Sequence, residues 1–340
     1  MMLHRLKICI AVVTFCLSNK VVAQDLHFSQ FFHSPLTTNP ANTGFIPDSD
    51  FRLGAHYRNQ WTQVPVPYKT ISVYGDAQVF RDRLETGWIG LGGVILQDKA
   101  GTGSLTSTKV YGSAAYHQML GNTGLLSAGF NVGMSNKRID ATKLTFDNQW
   151  TGTFFDVNIP SGETFNANNI SYLDMQVGLN YAWFPTDNLY IHGGVSVHHV
   201  NRPRESFFSN SPNYDNRLSP RYIGFIDAVI KLNDQWIINP SSYLSLQANS
   251  PALMAGMHLN YNLSGDGEQQ LLGGVYYRPG DAIIPMIGYQ WKNFLFMFSY
   301  DATQVAKFNG VAGANELYMQ FKGNYFNIGD LRQSICPSFR

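Results

Sequence analysis

The stretch Tyr172-Leu173-Asp174-Met175-Gln176-Val177-Gly178-Leu179-Asn180-Tyr181-Ala182-Trp183-Phe184 changes character at every residue. Leu173, Met175, Val177, Leu179, Tyr181 and Trp183 fall on one side, and Asp174, Gln176, Gly178, Asn180 and Ala182 on the other. Successive side chains of a strand point to opposite faces, so a period of two marks a strand with one apolar and one polar face. Leu253, Ala255, Met257, Leu259 and Tyr261 repeat the pattern, as do Leu126, Ala128, Phe130, Val132 and Met134. Strands of about ten residues, joined alternately by short and long connections, are what a closed barrel needs to cross a bilayer. The expected fold is all-β: a single antiparallel transmembrane β-barrel of about fourteen strands, preceded by an N-terminal periplasmic segment.

The strands are expected near 50–58, 69–80, 87–97, 104–118, 124–137, 171–184 and 187–200, then near 220–232, 236–248, 252–263, 269–278, 281–291, 294–301 and 314–326. The connections carry a second signal. Even-numbered ones are short, at 81–86, 120–124, 185–186, 233–235, 264–268 and 292–293. The long ones, at 59–68, 138–170, 201–219 and 302–313, are all odd. Antiparallel strands alternate direction, so the long loops must emerge together, which in outer-membrane barrels is the extracellular side.

The ends and the composition fit export. Arg5 and Lys7, the apolar run Ile8 to Leu17, and Val21-Val22-Ala23 read as a secretory signal peptide over 1–23. The segment 24–49, the barrel over 50–326 and a C-terminal periplasmic tail over 327–340 complete the expected organisation. Charged residues are only 14%, against roughly 25% in soluble domains. Removing Arg5, Lys7 and Lys20 leaves 21 basic against 23 acidic residues, a mature net charge of −2. No basic run remains, which argues against nucleic acid. Cys9 and Cys16 leave with the signal, so Cys336 has no internal disulfide partner.

Trp88, Trp183, Trp236 and Trp291 lie at strand ends beside short connections. An indole at headgroup level buries its body and keeps its N–H wet, so these four are expected to form a membrane-interface girdle. The competing account is the general preference of aromatics for strands. His198 and His199, as strand neighbours, are expected to face opposite sides and share no metal. The chain has no Gly-x-Ser-x-Gly nucleophile signature, and Gly101-Thr102-Gly103 reads as a hairpin turn. Inward Asp76, Asp174, Asp227 and Lys231 are read as lumen polarity. No catalytic residue, cofactor or metal is expected.

The stretch after the signal is more particular. Gln24-Asp25-Leu26-His27-Phe28-Ser29-Gln30-Phe31 leads to Asn39-Pro40-Ala41 and Gly44, then to Tyr57-Arg58-Asn59-Gln60-Trp61 and Tyr68-Lys69-Thr70. This order resembles the N-terminal region of the PorP/SprF family of type IX secretion system membrane proteins. Leu144-Thr145-Phe146-Asp147-Asn148-Gln149-Trp150 looks like that family's long-loop motif. Phe298-Ser299-Tyr300-Asp301 and Asn315-Glu316-Leu317 are similar to its closing strands.

The resemblance implies a non-enzymatic component of the Gram-negative outer membrane that helps export and surface-anchor a client. The implied partners are a large secreted adhesin or other type IX client, bound through its C-terminal domain, other secretion components and outer-membrane lipid. Candidate contacts are Phe28, Phe31, Phe32 and Trp61, with Phe146, Trp150, Phe154, Phe155, Phe207, Phe208 and Tyr214 in the long loops. Two alternatives stay open. Phe28, Phe31 and Phe32 equally suit an apolar plug inside or beneath the barrel, and aromatic loops also pack over a barrel mouth. A transport barrel for hydrophobic or small polar solutes is the competing function, since fourteen strands enclose a lumen wide enough for it.

Overall fold

A computed structural model describes residues 25–61, 67–81, 84, 86–163, 167–207, 216–303 and 313–325. The expected signal peptide, the tail with Cys336, and the loop residues Phe208 and Tyr214 lie outside the described residues. Among those described are β1 (Phe51–Gln60), β2 (Tyr68–Val79), β3 (Gly87–Ala100), β4 (Leu105–Leu120), β5 (Gly124–Arg138), β6 (Asn169–Thr186) and β7 (Leu189–His198). They continue as β8 (Arg221–Lys231), β9 (Trp236–Gln247), β10 (Ser250–Asn262), β11 (Gln269–Arg278), β12 (Ala282–Trp291), β13 (Phe294–Thr303) and β14 (Ala314–Gly323).

Each strand pairs antiparallel with its sequence neighbours. β14 returns to β1, from Phe51 opposite Gly323 to Gln60 opposite Ala314, and closes the barrel. Closure satisfies every strand edge, which a lipid environment demands. All fourteen expected strands are present, with ends displaced by no more than three residues.

The burial pattern inverts that of a soluble protein. In β6, Leu173, Val177 and Leu179 are about half exposed on the outer face, while Asp174 and Ala182 are fully buried inside. The same holds for Ile283 and Ile287 outside against Ile284 and Met286 inside in β12. An outer skin this apolar is stable only where lipid, not water, covers it.

The N-terminal segment is corrected in location, and the plug alternative for Phe28, Phe31 and Phe32 is the one observed. Instead of lying at the periplasmic mouth, residues 25–49 run through the barrel as a plug. Asp25 contacts Lys109, His199 and Gln247 at the end that carries the long connections. Asp48 pairs with Lys322 at the opposite end, where the chain enters β1. Between them are short helical turns at Phe31–His33, Pro35–Thr38 and Pro40–Asn42. The physical reason is burial. Phe28, Phe31, Leu36 and Ile46 are all buried; Phe31 and Leu36 share a cluster with inward-facing wall residues such as Tyr74, Tyr243 and Tyr276, and Phe28 stacks on His56. The core of this protein is therefore the contact between plug and wall.

Trp88 is the second correction. It is only 2% exposed and faces the lumen, where its Nε1 donates to Gly44 O at 2.9 Å and its ring stacks on His117. β3 is apolar on both faces around it, with Ile89 and Leu91 beside Val94 and Leu96, so alternation gave no way to assign its side. Trp88 is not part of an interface girdle.

Candidate partner interface and the plugged lumen

The plug is held at three levels, and the residues holding it come from the motifs that stand out in the sequence. At the first, the backbone N–H groups of Ser29 and Gln30 donate to the Glu316 carboxylate at 2.9 and 3.0 Å. Arg58 donates to Glu316 at 3.0 Å, to Asp301 at 2.9 Å and to Ser29 Oγ at 2.8 Å. Arg278 closes the node by donating to Asp301. Phe28-Ser29-Gln30, Arg58, Asp301 and Glu316, far apart in sequence, thus meet in one buried network. Each charge is paired, as burial requires.

At the second level Asn39 stitches the plug to β6 and β7. Its Nδ2 donates to Leu179 O at 3.0 Å and Val195 O at 3.2 Å, while Oδ1 accepts from Ala41 N. The approach is close enough to need bare backbone on the wall. A Cβ at Gly178 would come within 1.9 Å of Asn39 Oδ1, and one at Gly90 within 1.9 Å of Thr43 O. Below this, Gly44 N donates to Asp76 at 2.8 Å, and Asp76 takes a two-pronged pair from Arg52. Asp76, read from sequence as lumen polarity, is a plug anchor.

At the long-loop end a third set holds Asp25. Lys109 Nζ lies 3.0 Å away and His199 Nε2 2.6 Å, while His199 Nδ1 faces Asp174 at 2.9 Å. His199 was expected to face away from His198, yet both rings are buried in the lumen. β7 ends at His198, and a φ of +57° at His199 turns the ring inward. Burial works against the charged imidazole, but the hydrogen bonds to Asp174 and Asp25 outweigh it and raise the His199 pKa above 6.5. Burial likewise opposes charge on Asp25, but Lys109 and His199 hold it well below 3.8.

The aromatic rim lies beyond this end, in the connection between β5 and β6. Gln149 is buried and organises it. Its Oε1 accepts from Phe146 N at 2.9 Å, and its Nε2 donates to Ile159 O at 3.1 Å. Trp150 bridges to Phe155, and Thr151 N donates to Phe154 O. The tight turn so formed presents Trp150 (56% exposed), Phe154 (59%) and Val157 (68%), with Phe155 beside them. At the foot of the loop, hydrogen bonds from Thr142 and Lys143 hold the Asp140 carboxyl at about 2. Ala167 N donates to Phe207 O, and Glu205 accepts from Tyr172 and Lys137, so the loop after β7 is tied to the same rim.

The expected site residues therefore separate. Trp150, Phe154 and Phe155 form an exposed cluster with the partly buried Phe146 beside it, while the partly buried Phe207 meets Ala167. Phe28, Phe31 and Phe32 belong to the plug; Phe32 stacks on His258 and Tyr276. Trp61, at a φ of +58°, packs on Tyr68 at the long-loop end of β1. Trp183, Trp236 and Trp291 stand on the outer face at the short-turn end, 40–51% exposed. Arg58, Asp301, Glu316, Asp25 and His199 were missed as a set. The first three carried a signal: opposite charges on the inward face of their strands, inside conspicuous motifs.

The family model described as type IX secretion system membrane protein PorP/SprF matches residues 21–321. No curated protein matches the sequence. Among solved structures the chain is similar to a Pseudomonas aeruginosa FadL homologue, at 9% identity, covering 85% of this chain and 94% of that one with a TM-score of 0.50. It is also similar to the Ralstonia pickettii toluene transporter TbuX (12% identity, 86% and 94% covered, TM-score 0.50). The P. putida toluene transporter TodX gives 11% identity, 87% and 95% covered, and a TM-score of 0.50. At these identities the likeness is one of fold.

Proposed function

Because this chain belongs to the PorP/SprF family of type IX secretion system membrane proteins, we propose that it holds an exported client at the cell surface through its long-loop rim. It is an outer-membrane component of type IX secretion. The finer reading is that the rim grips the C-terminal domain of a large adhesin or another client, whose remainder projects outward. The observation that carries this is the ordered turn built on Gln149, which presents Trp150, Phe154, Phe155 and Val157 to solvent. A contiguous apolar cluster costs free energy in water unless a partner covers it, and rigid aromatic anchors are what protein interfaces use.

Export by the 1–23 signal fits this role. So does an orientation with the short turns in the periplasm, where Trp183, Trp236 and Trp291 meet headgroups. Other secretion components are proposed to engage that periplasmic face. A second reading, solute transport, is favoured by the fold shared with toluene transporters. The anchored plug weighs against a wide aqueous path.

The test replaces Trp150, Phe154 and Phe155 together with serine in cells. Surface retention of the client is expected to fall at least tenfold while the barrel still assembles, as judged by heat-modifiable migration. Undiminished retention overturns the anchoring role, and flux of toluene into liposomes holding the barrel alone supports the second reading.

A further inference from the structure

β8 and β9 keep one register along their length, yet no backbone pairing joins Ala228 and Val229 to Asn239 and Pro240. Pairing stops at Asp227 with Ser241 and resumes at Ile230 with Ile238. Pro240 has no N–H to give the ladder, and proline is otherwise confined to sheet edges or bulges. A closed barrel has no edge, so the missing donor, like that of Pro285 between β12 and β13, leaves a local break in the ladder.

Directly inside it lies a cavity of about 240 Å³ between plug and wall. Phe32, Phe45 and Phe225 give it apolar sides, and Arg52, Asp227 and Asn239 give it charged and polar ones. Ala228 and Pro240, whose positions alternate outward, line it too, so the cavity reaches the strand edges at the break. His192 supplies a handle. It is 7% exposed and fixed by Asp227 at 3.2 Å through Nδ1, while its buried Nε2 has no hydrogen-bond partner. A buried polar atom left unpaired is costly, so one facing a cavity marks where a ligand group bonds.

We propose that this cavity binds a short single-chain amphiphile that enters sideways from the bilayer through the break at Ala228 and Pro240. The hydroxyl or carboxyl head bonds His192 Nε2, and the chain lies against Phe45, Phe225 and Val229. A dry cavity of roughly 150 Å³ holds benzene, so this one accommodates a chain of several more carbons. The site is independent of the loop rim and stands whether or not the rim grips a client.

The probe is octanoic acid carrying a terminal diazirine, added to phosphatidylethanolamine–phosphatidylglycerol vesicles that hold the full barrel. After a light pulse, labelled residues are mapped by mass spectrometry. Label is expected on 225–229 and 239–241 and on the plug near Phe45. It should fall at least tenfold in His192→Ala and in Ser241→Phe, which fills the space. His192→Gln, which keeps a donor and similar size, should recover most of it and serves as the folding control. Pro240→Val restores the missing N–H and is expected to slow labelling at least tenfold at unchanged final extent. Label confined to outer residues such as Ile226 and Leu244, or unaltered by His192→Ala, overturns the site. Cavity labelling at an unaltered rate in Pro240→Val overturns the sideways entry and assigns supply to the lumen.

Discussion

The side chain of Asn39 lies on Gly178 so closely that a Cβ at residue 178 would come within 1.9 Å of Asn39 Oδ1, while Asn39 Nδ2 ties together the carbonyls of Leu179 and Val195. One plug residue thus depends on one bare position in the wall. Gly178→Val is expected to lift the plug there, at a cost of about 1–3 kcal/mol for overpacking. Protection of residues 25–49 from proteinase K should drop, with barrel migration retained. Gly224→Val, where a side chain meets nothing within 4 Å, is the matched control and should leave protection unaltered.

Arg58 joins Glu316 and Asp301 in a buried charge network that Arg278 completes. Replacing it with methionine leaves Glu316 with its main-chain donors but without its guanidinium partner. Breaking a buried pair from one side costs about 3–5 kcal/mol. Arg58→Met should lower the urea midpoint accordingly, and Arg58→Lys should recover only part, because an ammonium lacks the planar fork that reaches Asp301 and Glu316 together. A midpoint equal to the parent's would mean the network carries no net stability.

The Asp25–His199 latch sets a pH window. The His199 pKa is raised by folding, so its contribution is full below the unfolded value of 6.5 and is lost as pH climbs through the raised value. The Asp25 pKa is depressed, so its contribution is present above 3.8 and disappears as pH falls through the lowered value. A spin label on Leu26→Cys, in a Cys336→Ser background, should therefore gain mobility between pH 6 and pH 9. His199→Gln should make its mobility the same at both. Equal mobility in the parent at the two values would remove His199 from the latch.

Trp88 and Trp291 test the division between lumen and skin. Trp88→Phe leaves the buried Gly44 carbonyl without its donor, for a loss of about 1–3 kcal/mol. Trp291→Phe on the outer face should stay within about 0.5 kcal/mol. Urea unfolding in vesicles compares the two directly, and equal losses would contradict the inward placement of Trp88.

The strands, their number, the closed fold and the parity of the loops were legible in the amino-acid sequence. A bilayer imposes a period of two that is written locally, and Leu173 to Trp183 carries it without help from any distant residue. The PorP/SprF motifs were legible too, but as order along the chain. What they do was decided in three dimensions: Ser29, Arg58, Asp301 and Glu316 meet only because β1, β13 and β14 are neighbours in the closed sheet. The path of the plug was equally hidden, since nothing in Asn39-Pro40-Ala41 reveals which glycine it will meet about 140 residues later. Alternation was silent for Trp88, where both faces of β3 are apolar, and misleading for His199, where a single left-handed φ turns the ring inward. Side-chain periodicity fixes a strand's faces, whereas the pairing of charges and the fit of a plug exist only once the cylinder has closed around them.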